Sequence, residues 1–459
     1  MSAVPEGRLP RVLIVVQNLP VPLDRRVWLE CLALRAAGYQ VSVICPKGPG
    51  DPGYAELDGV HVHKYRPAPQ AEGVVGYLWE FVYCWLRTAL LSVRVRRRHG
   101  FDILQACNPP DTYWFLARLW RPFGVRFVFD HHDLNPELFL SRFGEPSGTG
   151  QRAQLAVLRW LERRTFRAAQ HMISTNESYR AVAIRRGGLA EADTTVVRSG
   201  PDTTVMRPVA GLPELRRGAE HLLVYLGIMG PQDGIDVLLH AMRELVEGRG
   251  RRDVHLALLG FGDMLEPMRR LAVDLGLSPY VTFTGRADRQ KVAEYLSSAR
   301  LGLCPDAKTP LNDLSTHNKV MEYMAYALPV VTFDLAETRV SAGDCAVYVP
   351  SGDVAAFAEA VDELLKDDDR RVEMSRAARR RCVEVLDWRP QAQAYVSVYD
   401  RLAGLGDSRS PEPAWPAVDR RDPVGQVGAP VLFGRPAVDL RDPAGYETFL
   451  RTREPPGHP

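Results

Sequence analysis

The sequence lacks close cysteine pairs and lacks an excess of charge of one sign. Its seven cysteines are scattered, so neither a zinc site nor a disulfide framework is indicated, and reduced thiols in the cytosol fit this distribution best. The formal net charge is +2. Because nucleic-acid-binding proteins usually carry a concentrated basic surface, this balance argues against a nucleic-acid partner.

Long uninterrupted hydrophobic runs are also missing. The N-terminal MSAVPEGRLPR lacks the apolar core of a signal peptide, so we expect no export signal there. The most apolar stretch, residues 77–98, contains Glu80 and Arg87, each of which costs ~2.5–3.5 kcal/mol at a bilayer centre. It predicts an amphipathic helix with a basic end, which either covers the sheet or contacts an anionic membrane. We expect a cytoplasmic protein, with the inner face of the membrane as the place of any peripheral contact.

The turn after the first predicted strand has no glycine. Residues 11–16 (RVLIVV) are typical of a buried parallel strand, and residues 17–22 (QNLPVP) follow it. A dinucleotide-binding Rossmann turn needs its Gly-x-Gly-x-x-Gly pattern at this place. A nicotinamide or flavin enzyme is therefore disfavoured.

Strand and helix patterns nevertheless alternate along most of the 459 residues. Asp24 is expected to cap a helix from Arg25 to Ala37, and a linker bearing proline and glycine extends to Arg217. The alternation restarts at residues 221–226 (HLLVYL), so the chain predicts two doubly wound α/β domains.

From Gly404 onwards the composition changes to proline, aspartate, arginine and glycine. Residues 416–425 nearly repeat as residues 436–445. Such a composition buries little apolar surface, so residues 404–459 are predicted to be a disordered tail. The repeats are either a docking element or a simple duplication.

Residues 311–331 (LNDLSTHNKVMEYMAYALPVV) predict a loop, a helix and the start of a buried strand. Ser315 or Thr316 is expected to cap the helix. An apolar stripe at helical spacing faces the core and consists of Val320, Tyr323, Met324 and Ala327. Asn318, Lys319 and Glu322 lie off that stripe and share one polar surface.

This polar surface combines a helix N-terminus, a cation and a carboxylate. A helix N-terminus beside a lysine suits a phosphate, and a carboxylate suits the vicinal hydroxyls of a ribose or hexose. The alternative is an ordinary surface helix on which Lys319 pairs with Glu322.

Residues 131–137 (HHDLNPE) follow a predicted strand and contain the other concentration of site-type residues. A metal site is one interpretation of two histidines, an aspartate and a glutamate. Adjacent histidines in an extended segment point to opposite sides, however, so one tetrahedral site rarely uses both. We therefore predict no metal.

Several of these segments resemble family-4 retaining glycosyltransferases of the GT-B fold. The matching segments are residues 317–339 with the following Gly343-Asp344, the His-Asp-x-x-Pro-Glu loop at 132–137, Gly-x-Gly-Asp at 260–263, and Gly-x-Asp at 200–202. Their order along residues 10–402 is more specific than any one of them.

The resemblance implies two Rossmann-like domains that face a central cleft. Residues 1–205 would form the N-terminal, acceptor-side domain and residues 206–388 the donor domain. A return helix at 389–403 would pack on the N-terminal domain, ahead of the 404–459 tail.

The resemblance also implies a nucleotide-diphosphate sugar as co-substrate, with no cofactor or metal required. Lys319, Arg286 and the backbone amides of Met229 and Gly230 would stabilise the departing diphosphate.

Contacts to the ribose and the transferred sugar are assigned in the same way. Glu322 would bind the ribose of the nucleotide. The backbone around Thr316, His317 and Asn318 would hold the sugar, which His132 would approach from the other domain. His132 and Glu322 are the residues predicted to be catalytic.

The chain departs from the family pattern at two places. The first glutamate of the family's Glu-x7-Glu pattern, whose second is Glu322, is replaced by Leu314, with Asp313 as its neighbour. An arginine and a lysine that serve the diphosphate in many relatives are replaced by Ile228 and Asp233.

The predicted activity is transfer of a sugar, with retention of configuration, to a glycan or lipid-linked acceptor in the synthesis of cell-surface polysaccharide or glycoconjugate. Two alternatives stay open. One is a catalytically degenerate scaffold that binds a nucleotide, which the departures motivate. The other is a nucleotide-sugar epimerase, which needs no acceptor.

Overall fold

The computed structural model describes residues 11–69, 73–405, 431–440 and 442–454. These residues form two compact units. Unit 1 contains the described chain up to Ser199 and the residues from Arg389, and unit 2 contains Gly200–Trp388 and the described C-terminal residues. The sequence analysis put the corresponding boundaries after residues 205 and 388.

Unit 1 begins with a strand–helix alternation, as predicted. Its strands are β1 (Arg11–Val15), β2 (Gln40–Pro46), β3 (Tyr54–Leu57), β4 (Val60–Tyr65), β5 (Ile103–Cys107), β6 (Arg126–His131), β7 (His171–Ser174) and β8 (Thr194–Val196). Its helices are α1 (Arg25–Ala36), α2 (Gly73–Arg98), α3 (Trp114–Trp120), α4 (Asn135–Phe143), α5 (Thr149–Ala168) and α6 (Glu177–Gly187).

The sheet of unit 1 has the strand order β3-β4-β2-β1-β5-β6-β7-β8. Only β3 is antiparallel to its neighbour. The central strands are buried along nearly their whole length because helices cover both faces, which explains their continuous apolar sequence. Asp24 caps α1 by accepting a hydrogen bond from the amide of Val27, as predicted.

Unit 2 repeats this architecture in an all-parallel sheet. Its strands are β9 (His221–Leu226), β10 (Val254–Leu259), β11 (Val281–Gly285), β12 (Leu301–Cys304), β13 (Val330–Phe333) and β14 (Ala346–Val349). Its helices are α7 (Ile235–Arg243), α8 (Leu265–Asp274), α9 (Arg289–Ser298), α10 (Asn318–Ala325), α11 (Ala336–Ala342), α12 (Val354–Lys366) and α13 (Asp368–Arg381). The order β11-β10-β9-β12-β13-β14 reverses direction between β9 and β12. The prediction of two doubly wound sheets is confirmed.

Helix α14 (Trp388–Ala403) belongs to unit 1 from Arg389 onwards. Its Tyr395 and Tyr399 hydroxyls both donate to the side-chain oxygen of Gln105 on β5. Asp400 accepts a hydrogen bond from Tyr39 at 2.5 Å. This helix is therefore fixed to the sheet of unit 1 by buried polar contacts as well as by packing.

The C-terminal residues differ in part from the predicted disordered tail. The first copy of the repeat, at 416–425, lies outside the described residues. Beyond it, β15 (Val431–Leu432) pairs with β16 (Arg435–Pro436), and α15 (Pro443–Thr452) follows. Phe449 and Leu450 bury their side chains against Ala327 and Val372.

Arg453, just after α15, anchors the end of this segment. Its buried guanidinium donates to the carbonyls of Tyr326 and Ala327, directly after α10. The segment orders because α15 has an apolar face that meets a complementary surface of unit 2. Averaging the composition over the whole tail conceals that face.

None of the helices in the described part of the chain is long and apolar enough to cross a membrane.

Replacing Phe449 with alanine should lower the free energy of unfolding by ~3–5 kcal/mol, because it leaves a cavity at a fully buried position. Urea denaturation followed by circular dichroism measures the change. Thr448→Ala, an exposed position on the same helix, is the matched control and should change stability by less than ~0.5 kcal/mol. Equal stability of the two variants would show that α15 is not packed on unit 2.

Candidate functional site

The point where the unit 2 sheet reverses direction gathers the residues that the sequence analysis singled out. In such sheets the loops after the two strands flanking the reversal leave a crevice at their carboxyl ends, where ligands bind. Here the loop after β9 contains Met229 and Gly230, and the loop after β12 leads into α10. The two loops approach closely, since a side chain at Gly234 would lie 2.1 Å from the carbonyl oxygen of Pro305.

Helix α10 closes this crevice and joins the diverging strands. The Tyr323 hydroxyl accepts a hydrogen bond from the amide of Leu226 at 2.8 Å and donates to the carbonyl of Leu303 at 3.1 Å. It therefore satisfies one backbone group on each strand. Gly302 makes room for the Tyr323 ring, which a β-carbon there would approach to 2.4 Å.

The apolar stripe of α10 is buried as predicted, but the predicted cap is wrong. The helix begins at Asn318, and its N-cap is His317, whose side chain makes no capping hydrogen bond. The Ser315 hydroxyl donates to the carbonyl of Leu311 instead, because it lies within the preceding turn. Of the predicted polar surface, Asn318 is exposed and Glu322 is half-buried.

Lys319 points into the crevice and pairs with an acid that the sequence analysis did not identify. Its ammonium lies 2.8 Å from Asp306 Oδ2 and 3.7 Å from Asp233 Oδ1. It also donates to the Tyr225 hydroxyl at 3.2 Å and lies 4.6 Å from the centre of that ring. Gly227 leaves space for this side chain, since a β-carbon there would be 3.2 Å from Lys319 Cε.

The electrostatics of the crevice favour a charged lysine and a neutral histidine. Burial opposes the charge on Lys319, but Asp306 outweighs it and holds the pKa of Lys319 well above its usual value. Burial lowers the pKa of His317, although Asp306 lies 3.6 Å from its Nε2 atom. His317 Nδ1 lies 3.2 Å from the Thr338 hydroxyl, so its ring is fixed inside the unit.

The two amides predicted to bind a diphosphate already have acceptors. Met229 donates to the carbonyl of Phe261 at 2.8 Å, because the loops after β9 and β10 pack backbone to backbone. Gly230 donates to Asp233 Oδ2 at 2.8 Å. Asp233, at a place where many family members carry a cation, thus contacts both this loop and Lys319.

The remaining predicted residues lie around this cluster or serve another contact. Arg286 follows β11, is exposed, and lies over the Phe261 ring at 4.8 Å. Ile228 is 54% exposed, so the loop presents an apolar side chain to solvent there. Asp313, considered as a substitute for the missing glutamate, accepts a hydrogen bond from the amide of Ala336 at the start of α11.

In unit 1 His132 follows β6 and contacts a buried ion pair. Arg26 on α1 donates to Asp130 at 2.8 Å. His132 Nε2 lies 2.6 Å from Asp130 Oδ2 and 3.0 Å from Arg26 Nε. One ring nitrogen cannot donate to the carboxylate and accept from the guanidinium at once. Both contacts meet at the same ring nitrogen, so Asp130 and Arg26 together fix the orientation of the His132 ring.

A second buried acid, Glu30, completes this network. It lies 3.0 Å from Arg26, and Gln105 donates to both Glu30 and Asp130. Burial and the charge on Asp130 raise the pKa of Glu30 well above its usual value. Burial opposes ionisation of Asp130 too, but Arg26 and His132 hold its pKa far below the usual range. The two buried acids of this network therefore differ, since Arg26 and His132 stabilise the charge on Asp130 while the charge on Asp130 opposes a second charge on Glu30.

His131 and His132 point to opposite sides of the chain, as predicted. The His131 ring is buried among Phe129, Phe166 and Tyr179. Ligand-type atoms of His132, Asp130 and Cys107 do lie close together. The Arg26 guanidinium against this group disfavours a metal cation, because like charges repel.

Asp306 and Asp130 are the site residues that the sequence analysis did not assign. Asp306 directly follows Cys304-Pro305 at the end of β12, and Asp130 is the penultimate residue of β6. An acidic residue at the carboxyl end of a buried strand is the sequence feature that could have identified them. The basic residue that pairs with each acid lies in a distant segment, so the sequence does not identify the pair.

Replacing Arg26 with alanine should lower the free energy of unfolding by ~3–5 kcal/mol, because it leaves Asp130 buried without its cation. Chemical denaturation measures this loss. Arg97→Ala removes an exposed guanidinium from the same unit and should change stability by less than ~0.5 kcal/mol. A loss below ~1 kcal/mol for Arg26→Ala would contradict the buried pair.

Burial lowers the pKa of His131 to about 3. In the unfolded chain His131 takes up a proton near pH 6.5, whereas in the folded chain it stays neutral at that pH. The free energy of unfolding therefore decreases as the pH falls below about 6.5. Between about pH 7.5 and pH 5 the wild type should lose ~2 kcal/mol more than His131→Phe.

Urea denaturation at both pH values tests the His131 prediction. Val157→Ala, an exposed position in the same unit without a titratable group, should keep the wild-type pH dependence. Identical pH dependence in the wild type and His131→Phe would show that His131 does not titrate in this way.

Comparison with known proteins agrees with this architecture. The family described as "Glycosyl transferase 4-like domain" matches residues 23–200, and "Glycosyl transferases group 1" matches residues 220–367. The chain is 27% identical over 303 residues to alpha-maltose-1-phosphate synthase of Mycolicibacterium smegmatis, covering 61% of this chain and 74% of that protein. It is 24% identical over 378 residues to alpha-D-kanosaminyltransferase of Streptomyces kanamyceticus, covering 77% and 92% respectively.

A solved structure has the same fold. Anabaena HepE in complex with UDP-glucose superposes with a TM-score of 0.62 at 16% identity, over 86% of this chain and 99% of that one. Both halves of the chain thus match glycosyltransferase families, and both sheets have the corresponding doubly wound form. The chain belongs to the family-4 glycosyltransferases of the GT-B fold.

Proposed function

We propose that this glycosyltransferase transfers a sugar from a nucleotide-diphosphate donor, with retention of configuration, to a glycan or lipid-linked acceptor. The observation that carries the proposal is the position of Lys319. Asp306 holds it in the crevice where the unit 2 sheet reverses, at the start of α10, one turn before Glu322. A fixed cation at the N-terminus of a helix suits a diphosphate.

The reaction passes through an oxocarbenium-like transition state as the diphosphate leaves. We assign stabilisation of the leaving group to Lys319, Arg286 and the first amides of α10. The amide of Gly230 joins them when Asp233 turns away from it, whereas the amide of Met229 stays within the loop packing. We assign no metal to this step.

Glu322 is proposed to accept hydrogen bonds from the ribose hydroxyls. It is half-buried and lies one turn beyond the lysine, so it is accessible to a ligand at the helix start. The backbone of Thr316, His317 and Asn318 is proposed to hold the transferred sugar. His132 is proposed to contact that sugar, with Asp130 and Arg26 fixing the orientation of its ring.

The comparisons support the donor class. The kanosaminyltransferase is named for transfer of a sugar, and the HepE structure contains UDP-glucose. We extend a nucleotide-sugar donor from those proteins to this chain, with synthesis of cell-surface polysaccharide or glycoconjugate as the process.

We also propose that unit 1 contacts the cytoplasmic face of a membrane through α2. Its solvent side carries large apolar residues, of which Trp79 is 56% and Leu90 is 67% exposed. Its last turn contains Arg96, Arg97 and Arg98. An apolar face with a basic end is typical of helices that lie in a membrane interface.

The test is a thermal-shift screen of nucleotides and nucleotide sugars with the wild type and Glu322→Ala. A ligand at 100 times its dissociation constant should stabilise the wild type by ~2.7 kcal/mol, and Glu322→Ala should lose that shift. Glu266→Ala, an exposed glutamate on α8 of the same unit, should retain it.

Incubation of the stabilising nucleotide sugar with the protein separates the alternatives. Transfer, or slow donor hydrolysis, supports the glycosyltransferase. A shift without turnover indicates the nucleotide-binding scaffold, and an isomerised nucleotide sugar formed without acceptor indicates an epimerase. No shift from any nucleotide would contradict the donor site.

A further inference from the structure

Four arginines line one pocket in unit 1, at the end of strand β6 that lies away from His132. Arg118 is in the last turn of α3, Arg121 follows that helix, and Arg164 and Arg167 are on the last turns of α5. Val125 and Phe127, at the start of β6, form the floor. His132 follows the other end of β6, so the strand separates the two places by ~17 Å.

The positive charge of this pocket is not neutralised by the elements that form it. Helix α3 has no acidic residue, and the single glutamate of α5, Glu162, pairs with Arg186. Among the residues that the structure describes, no salt bridge involves any of the four pocket arginines. Four arginines without a salt-bridge partner along one concave surface would suit an anion.

Helix termini explain only part of this cluster. A cation in the last turn interacts favourably with the free carbonyls, which accounts for Arg118 and Arg167 taken singly. Arg164 lies one turn earlier and stacks on aromatic rings, 6.0 Å from that of Trp114 and 5.5 Å from that of Trp160. Stacking holds its guanidinium in place at the pocket wall.

The surface around the pocket is apolar and exposed. Phe115, Leu119 and Phe123 are 46%, 48% and 64% exposed. Phe115 stacks on Trp85 of α2 at 5.3 Å, so this rim is continuous with the exposed face of α2. A soluble phosphate makes no favourable contact with such an apolar rim. A phospholipid presents an anionic head group next to hydrocarbon, so it can contact both the arginines and the rim.

We propose that the pocket of Arg118, Arg121, Arg164 and Arg167 binds the phosphate of an anionic phospholipid. Phe115, Leu119 and Phe123 then enter the interface beside the head group. This proposal deepens the membrane contact proposed for α2 and does not depend on the donor chemistry of unit 2.

The test is flotation of the full chain with vesicles of phosphatidylcholine alone or mixed with phosphatidylglycerol. The wild type should float with the mixed vesicles and should not float with the vesicles of phosphatidylcholine alone. An arginine at an anionic surface contributes about fivefold to binding, so Arg118→Gln/Arg121→Gln should weaken it ~30-fold. Both side chains are exposed, so this variant should fold.

Arg252→Gln/Arg370→Gln is the matched control, because it removes the same charge from exposed positions of unit 2. It should bind within about twofold of the wild type, since these two arginines belong neither to the pocket nor to α2. Both double variants should keep the donor-induced thermal shift, so failure of this proposal is distinguishable from failure of the donor site.

Two results would overturn the lipid site. Equal vesicle binding by the wild type and the pocket variant would show that the pocket takes no head group. Stabilisation by inorganic phosphate that Arg118→Gln/Arg121→Gln abolishes, without vesicle binding by the wild type, would identify a site for soluble anions instead.

Discussion

The buried ion pair between Lys319 and Asp306 is the constraint around which unit 2 is arranged at its crevice. Placing a lysine there requires a carboxylate within contact, a glycine at 227 to admit the side chain, and the Tyr225 ring beneath the ammonium. Desolvating two charges is costly, and the pair contributes little net stability. Its value is positional, because it fixes a cation at the start of a helix whose amides face the same place.

Unit 1 uses the same device with different residues. Arg26 and Asp130 are both buried and in contact. Asp130 fixes the orientation of the His132 ring, whereas the acid in unit 2 fixes the Lys319 ammonium. In each unit a buried acid at the carboxyl end of a strand fixes a neighbouring side chain, His132 in unit 1 and Lys319 in unit 2. Such an acid is destabilising until its partner arrives from another segment, so the site forms only with the complete unit.

Local sequence patterns predicted much of this structure, but they did not predict which residues from distant segments pair with one another. The stripe on α10 repeats every helical turn, so spacing alone placed Val320 and Tyr323 in the core. The partner of Lys319 lies on another loop, and proximity along the helix suggested Glu322 instead. The two doubly wound sheets followed from alternating strands and helices, whereas α15 was hidden within a polar composition. The periodicity of a sequence does not predict which of several acidic residues will contact a buried cation.

The departures from the family pattern change the charge balance of the donor crevice. Lys319 faces Asp306 and Asp233, so the cluster carries a net negative charge before any donor enters. We propose that a diphosphate binds there only when the Asp233 carboxylate gives up its bond to the amide of Gly230 and moves towards solvent. The same motion frees an amide donor for the phosphate. In this proposal Asp233 is an intramolecular substitute for the anion, and donor binding exchanges one acceptor for another at the amide of Gly230.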